Sequence, residues 1–159
     1  MLNVKPYKQQ EAYCGPASLK MVLDYYGIRK TEEELAKLCK TTKKGGTSAK
    51  DILRVANHFD LTGFIKDHAT LNDLKKYVVQ KRIPVIVNWF STDEGHYSPV
   101  IHIDEKTICL QDPELGKIRA MSLTTFKRVW FDFFGDYLRS KKDIILRRMI
   151  VLYKNNTKQ

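Results

Sequence analysis

A chain of 159 residues is long enough to bury a core without staples and short enough to form one domain. Its 43% hydrophobic content and five prolines exclude a disordered or collagen-like polymer, and no apolar run approaches the roughly 18 residues of a membrane span. The net charge of +10 is interleaved with acids, as in KTEEELAKLCKTTKKGG, and no aromatic-interleaved basic motif occurs, so the charge reads as a solvated basic surface and no nucleic-acid partner is expected.

The first element begins at Cys14, where CGPASLKMVLDYYG places Leu19, Val22, Leu23 and Tyr26 at helical spacing before the stop at Gly27. Pro16 suits a first turn because its missing N–H is not needed there. A second helix opens on the capping pattern Thr31 to Glu34 and turns Leu35, Leu38 and Cys39 inward. KKGG breaks the chain before a third helix, SAKDILRVANHF, capped by Thr47 or Ser48, with His58 near its end facing the helix dipole. His68 lies in the connection to a fourth helix, which follows Thr70–Asp73 and runs through LKKYVVQK. The second half reads as strands: PVIVNWF, HYSPVIHI, TICLQD and KIRAMS, separated by the turns DEK and PELG. A helix, LTTFKRVWFDFF, and a last strand, RRMIVLYK, follow. Helices first and mostly antiparallel strands afterwards predict an α+β fold, with an N-terminal helical half packed on a C-terminal sheet, in one domain spanning 1–159.

Three cysteines, Cys14, Cys39 and Cys109, are too few for a disulfide scaffold and lack the paired spacing of a zinc site, so no metal or cofactor is expected. The amino end, MLNVKPYKQQ, has no signal-peptide core, which predicts a cytoplasmic protein. Cys39 sits on a core stripe. Cys14 sits at a helix start, where unpaired N–H groups and the positive dipole end favour an anion. A thiol attacks as the thiolate, and a free cysteine has a pKa of about 8.5. Gly15 beside it would let a substrate backbone approach.

Such a nucleophile needs a histidine base held by a third group. His96 lies at the mouth of a strand, and Asp112 lies at the end of the next one. Strands joined by a tight turn run side by side, so the start of the first meets the end of the second, and His96 can meet Asp112. His102 shares strand parity with His96 but sits beside Asp104, as a structural histidine would. Trp89 reads as core that could also line a cleft; Trp130 and Phe131 read as core.

The blocks KQQEAYCGPASLKMVLDYYG, GTSAKDIL, PVIVNWF, GHYSPVIHID and CLQDPELGKIRAMSLTTFKRVW resemble, in order, the C39 and C39-like cysteine peptidases of the papain-like superfamily, over about Lys5 to Tyr153. The resemblance implies a papain-like cysteine peptidase fold, with Cys14 as nucleophile, His96 as general base and acid, and Asp112 orienting the imidazole. It also implies a glutamine a few residues before the cysteine that binds the oxyanion. Gln9 and Gln10 compete for that role; Gln9 is taken, which calls for a slightly tighter loop than usual. The implied activity is hydrolysis of a peptide or amide bond in a peptide or protein substrate. A papain-like acyltransferase using an amine or thiol acceptor, and a non-enzymatic peptide-binding domain, are the alternatives. Many C39 domains are fused to transporters and cut leader peptides after a Gly-Gly pair; this chain is closer to the stand-alone group.

Overall fold

In the computed structural model, which describes residues 1–155, helix α1 spans Cys14–Tyr25. The expected single domain of 1–159 includes residues 156–159, which lie outside the described residues. Gly27 ends the helix with a φ of +80°, which lets its N–H reach Asp24 O while the Ile28 N–H reaches Leu23 O. This left-handed cap satisfies two orphan carbonyls and favours glycine. Residues 15–19 and 21–23 are all buried, so α1 is enclosed well beyond the expected stripe. Leu19, Val22 and Leu23 face one core cluster, and Met21 faces a second.

Local chemistry sets the next helices. In α2 (Glu32–Leu38) the Thr31 hydroxyl accepts the Glu34 N–H, and in α3 (Ala49–His58) Ser48, rather than Thr47, accepts the Asp51 N–H. In α4 (Leu71–Lys75) Thr70 and Asp73 form a reciprocal capping box. The chain then widens into a π-helical turn, Lys76–Gln80, so the fourth helix reaches its expected length in two geometries.

The sheet holds strands β1 (Leu61–Lys66), β2 (Val85–Ser91), β3 (Glu94–Ile103), β4 (Thr107–Asp112), β5 (Lys117–Ser122) and β8 (Arg148–Lys154), in the order β1-β8-β2-β3-β4-β5. Every neighbouring pair is antiparallel. Strand β1 was not expected. Its signal is weakened by Gly63, where a side chain would meet Val151 O at 2.0 Å, so close strand approach demands a residue that reads as a breaker. The sheet therefore draws one edge strand from the helical half. Along β2, Val85, Val87 and Trp89 enter one cluster and Ile86 the other, which is why its sequence is almost continuously apolar.

Helix α5 (Leu123–Val129) stops short of the predicted Phe134. Phe131–Asp132 leave as strand β6 and pair with β7, Ile145–Leu146. Trp130 marks the exit: it is fully buried, and its indole N–H donates to Arg148 O at 3.0 Å. Among the described residues, no helix is long and apolar enough to cross a membrane.

Candidate active site

Cys14 is a free, half-buried thiol in the first turn of α1, a turn with no acidic residue and no side-chain cap. The N–H groups of such a turn lack intrahelical partners and favour a nearby anion. The approach to it is tight. Ala12 takes a φ of +67°, and the Gln10 carbonyl accepts both the Tyr13 N–H and the Gln9 side-chain amide, each at 3.1 Å. Gln9 is half-buried, its backbone N–H donates to Pro113 O at 2.9 Å, and its Oε1 is buried without a partner. Gln10 is exposed, and its backbone N–H is held by the Glu32 carboxylate at 3.1 Å. Of the two glutamines, Gln9 is the one tied to the residue after Asp112.

The β3–β4 hairpin brings His96 and Asp112 together as the register argument expected: His96 Nε2 lies 2.7 Å from Asp112 Oδ1, with both side chains buried. The Cys14 thiol lies beside the same ring, close enough to act on its charge. With Nε2 engaged by Asp112, Nδ1 is the atom left for sulfur. Burial opposes charge on this ring, but the bond to Asp112, the neighbouring Cys14 and the Coulomb attraction of both raise its pKa from 6.5 to about 9. Burial likewise pushes the Asp112 carboxyl up. The His96 bond and charge, the Glu114 N–H and the Arg119 charge outweigh it and hold the group below the usual carboxylate range.

Trp89 is both core and wall. It is 3% exposed, and its ring meets His96 edge-on at 5.5 Å while its N–H donates to Ser98 Oγ. Two further neighbours had not been expected. Arg119 Nε lies 2.7 Å from Asp112 Oδ2, and Arg119 Nη2 lies 3.5 Å from Glu114 Oε2. The signal for Arg119 was strand alternation: across the β4–β5 hairpin it pairs with Leu110, two residues from Asp112 and on the same face. Ligand atoms of His96, Asp112 and Glu114 lie within 4.8 Å of one another, a set that can hold a cation, and Arg119 already supplies positive charge to both carboxylates.

Two glycines have packing reasons. A Cβ on Gly15 would meet Thr47 Cβ at 2.6 Å, so the space thought open to substrate is filled by Thr47. Thr47 also hydrogen-bonds Thr41, and its carbonyl accepts the Tyr97 hydroxyl at 3.0 Å. It thereby fastens the start of α1 to the strand that carries His96. A Cβ on Gly95 would meet Asp132 Oδ2 at 2.2 Å. His102 pairs with Asp104 at 3.3 Å as expected, but a bulge between Val100 and His102 interrupts the alternation that had put it on the His96 face.

The peptidase C39 family model matches residues 4–134. An uncharacterized protein of Methanothermobacter thermautotrophicus is 35% identical over 111 residues, 69% of this chain and 72% of that protein. The pediocin PA-1 transport/processing ATP-binding protein PedD of Pediococcus acidilactici is 31% identical over 120 residues, which are 74% of this chain and 16% of PedD. Among solved structures, the peptidase domain of Streptococcus ComA, a bi-functional ABC transporter, superposes with a TM-score of 0.75 at 22% identity, over 96% of this chain and 100% of that one. That likeness shows the fold, with helices first and the antiparallel sheet after them.

Proposed function

Because this chain belongs to the peptidase C39 family, we propose that it is a cysteine peptidase that hydrolyses a peptide or amide bond through a thioester on Cys14. The observation that carries this reading is the chain of contacts from Asp112 through the His96 ring to the Cys14 thiol, with 2.7 Å between carboxylate and imidazole.

The Cys14 thiolate, paired with protonated His96, attacks the carbonyl carbon. The carbonyl oxygen takes up the electron pair as an oxyanion, met by the Cys14 backbone N–H and the second amide hydrogen of Gln9. Each such donor contributes about 3 kcal/mol to the transition state. Collapse of the intermediate breaks the C–N bond, and His96 Nδ1 gives its proton to the leaving amine. Water then attacks the thioester with Nδ1 as base, releasing the acid and restoring the thiolate. Asp112 accepts from Nε2–H throughout and so fixes the tautomer. Three free cysteines among the described residues suit a reducing compartment, and the cytoplasm is the address we infer. PedD is a processing protein by its name, and a peptide is the substrate class we infer here as well.

The test is incubation with a pool of proteome-derived peptides. Wild-type protein should create new amino termini, and Cys14→Ala should lose this by on the order of a thousandfold or more while retaining uncut peptides. Products carrying an added amine or thiol in place of water would reassign the chain as an acyltransferase. Capture without turnover by the wild type would make it a peptide-binding domain.

A further inference from the structure

We propose that Arg119 is a positioning residue for Asp112 and His96, and that Glu114 is its counter-charge. The proposal rests on the Cys14–His96–Asp112 reading and extends it by one residue on each side of the carboxylate.

The geometry is two-sided. Asp112 has a fully buried side chain whose Oδ1 receives His96 Nε2 at 2.7 Å and the Glu114 N–H at 2.9 Å. Its Oδ2 faces Arg119 Nε at 2.7 Å. Oδ1 is thus held by hydrogen bonds and Oδ2 by ion-pair attraction to a guanidinium not aligned for a hydrogen bond, so turning the carboxylate sacrifices one or the other. The guanidinium also lies over the Trp89 ring, 5.3 Å from its centroid, and Trp89 in turn meets the His96 ring. Arg119 thus reaches the imidazole by two routes, one through charge and one through packing. Its fork suits this task, because Nε takes Asp112 while Nη2 faces Glu114.

Glu114 answers a difficulty that Arg119 creates. A guanidinium near an imidazolium discourages the ring from holding its proton. Glu114 Oε2 lies 3.5 Å from Arg119 Nη2 and 4.0 Å from His96 Nε2, and it also accepts from Ser91 Oγ at 3.4 Å. The charged groups around the ring are therefore Cys14 from α1, Asp112 from β4, Glu114 from the following turn and Arg119 from β5. Lys8 of the amino-terminal segment bonds the Glu114 carbonyl, and the Asp132 carboxylate lies over neighbouring Gly95.

The test follows Cys14 alkylation by iodoacetate against pH. This reagent is itself an anion, so its rate rises when the thiolate–imidazolium pair forms and falls when the ring loses its proton, near pH 9. Arg119→Ala strands a buried carboxylate without its cation, so Asp112 protonates at higher pH. The acid limb should then move up by about one pH unit, so that the rate on that limb, well below its midpoint, is about tenfold lower. Added guanidinium should restore the profile, and Arg119→Lys should do so in part. Glu114→Gln removes an anion beside the ring and should move the alkaline limb down. Thermal melts establish that each variant is folded, and Glu114→Gln and Arg119→Lys keep the test open should Arg119→Ala fail to fold. A folded Arg119→Ala with the wild-type profile, or an unmoved alkaline limb in Glu114→Gln, overturns the proposal and leaves the Cys14–His96–Asp112 reading standing. Wild-type Cys14 reacting no faster than Cys39 would overturn both.

Discussion

Three thiols in this chain meet three different surroundings. Burial, reinforced by the Asp51 charge, pushes Cys39 up to about 12, and burial also raises Cys109. Cys14 alone is half-buried and set beside an imidazole that its charge acts on. Iodoacetamide at neutral pH should therefore modify Cys14 first, by a factor of at least about a hundred over Cys39, and peptide mapping would show it. His96→Ala should remove most of that preference. The same ring links pH to stability. Its folded pKa of about 9 lies above the ordinary 6.5, so the protonated ring stabilises the fold fully below 6.5, and that contribution is lost as pH rises through about 9. Melting temperature should decline over that window in the wild type and decline less in His96→Ala.

At the scale of elements, the site is a junction between the start of α1 and the open end of the β3–β4 hairpin. His96 and Asp112 were legible in the sequence because hairpin pairing converts sequence spacing into spatial neighbourhood. Sequence spacing separates Gln9 from Gln10 only weakly; in the fold their surroundings differ, with Pro113 O holding the Gln9 N–H and the Glu32 carboxylate holding the Gln10 N–H. Gly15 was misread, because its missing side chain accommodates Thr47, a residue from a distant loop that local spacing does not reveal. The hidden strand β1 and the early end of α5 have the same origin: β8 pairs with one, and the β6–β7 ladder takes over from the other. Gly95→Ala tests this junction directly. Its Cβ would meet Asp132 Oδ2 at 2.2 Å, which forces that carboxylate or β3 to move. We expect a destabilisation of about 1–3 kcal/mol by denaturant titration and slower Cys14 alkylation, since the neighbouring residue is His96.

Across the whole molecule, the last strand is an interior one. β8 lies between β1 and β2, and its Ile150 and Leu152 share a core with Leu19, Val22 and Leu23 of α1. Leu152→Ala should cost about 2–5 kcal/mol, and calorimetry would measure it. A chain ending at Leu146 should melt without a cooperative transition, because α1 then has no complete seat. This placement bears on how the protein is made. Translation delivers Cys14 well ahead of the strand that braces its helix, so a growing polypeptide on the ribosome carries this sulfur long before α1 can be held in place. On the proposed peptidase reading, the thiol stays unactivated until the fold closes, a delay built into the order in which the pieces emerge.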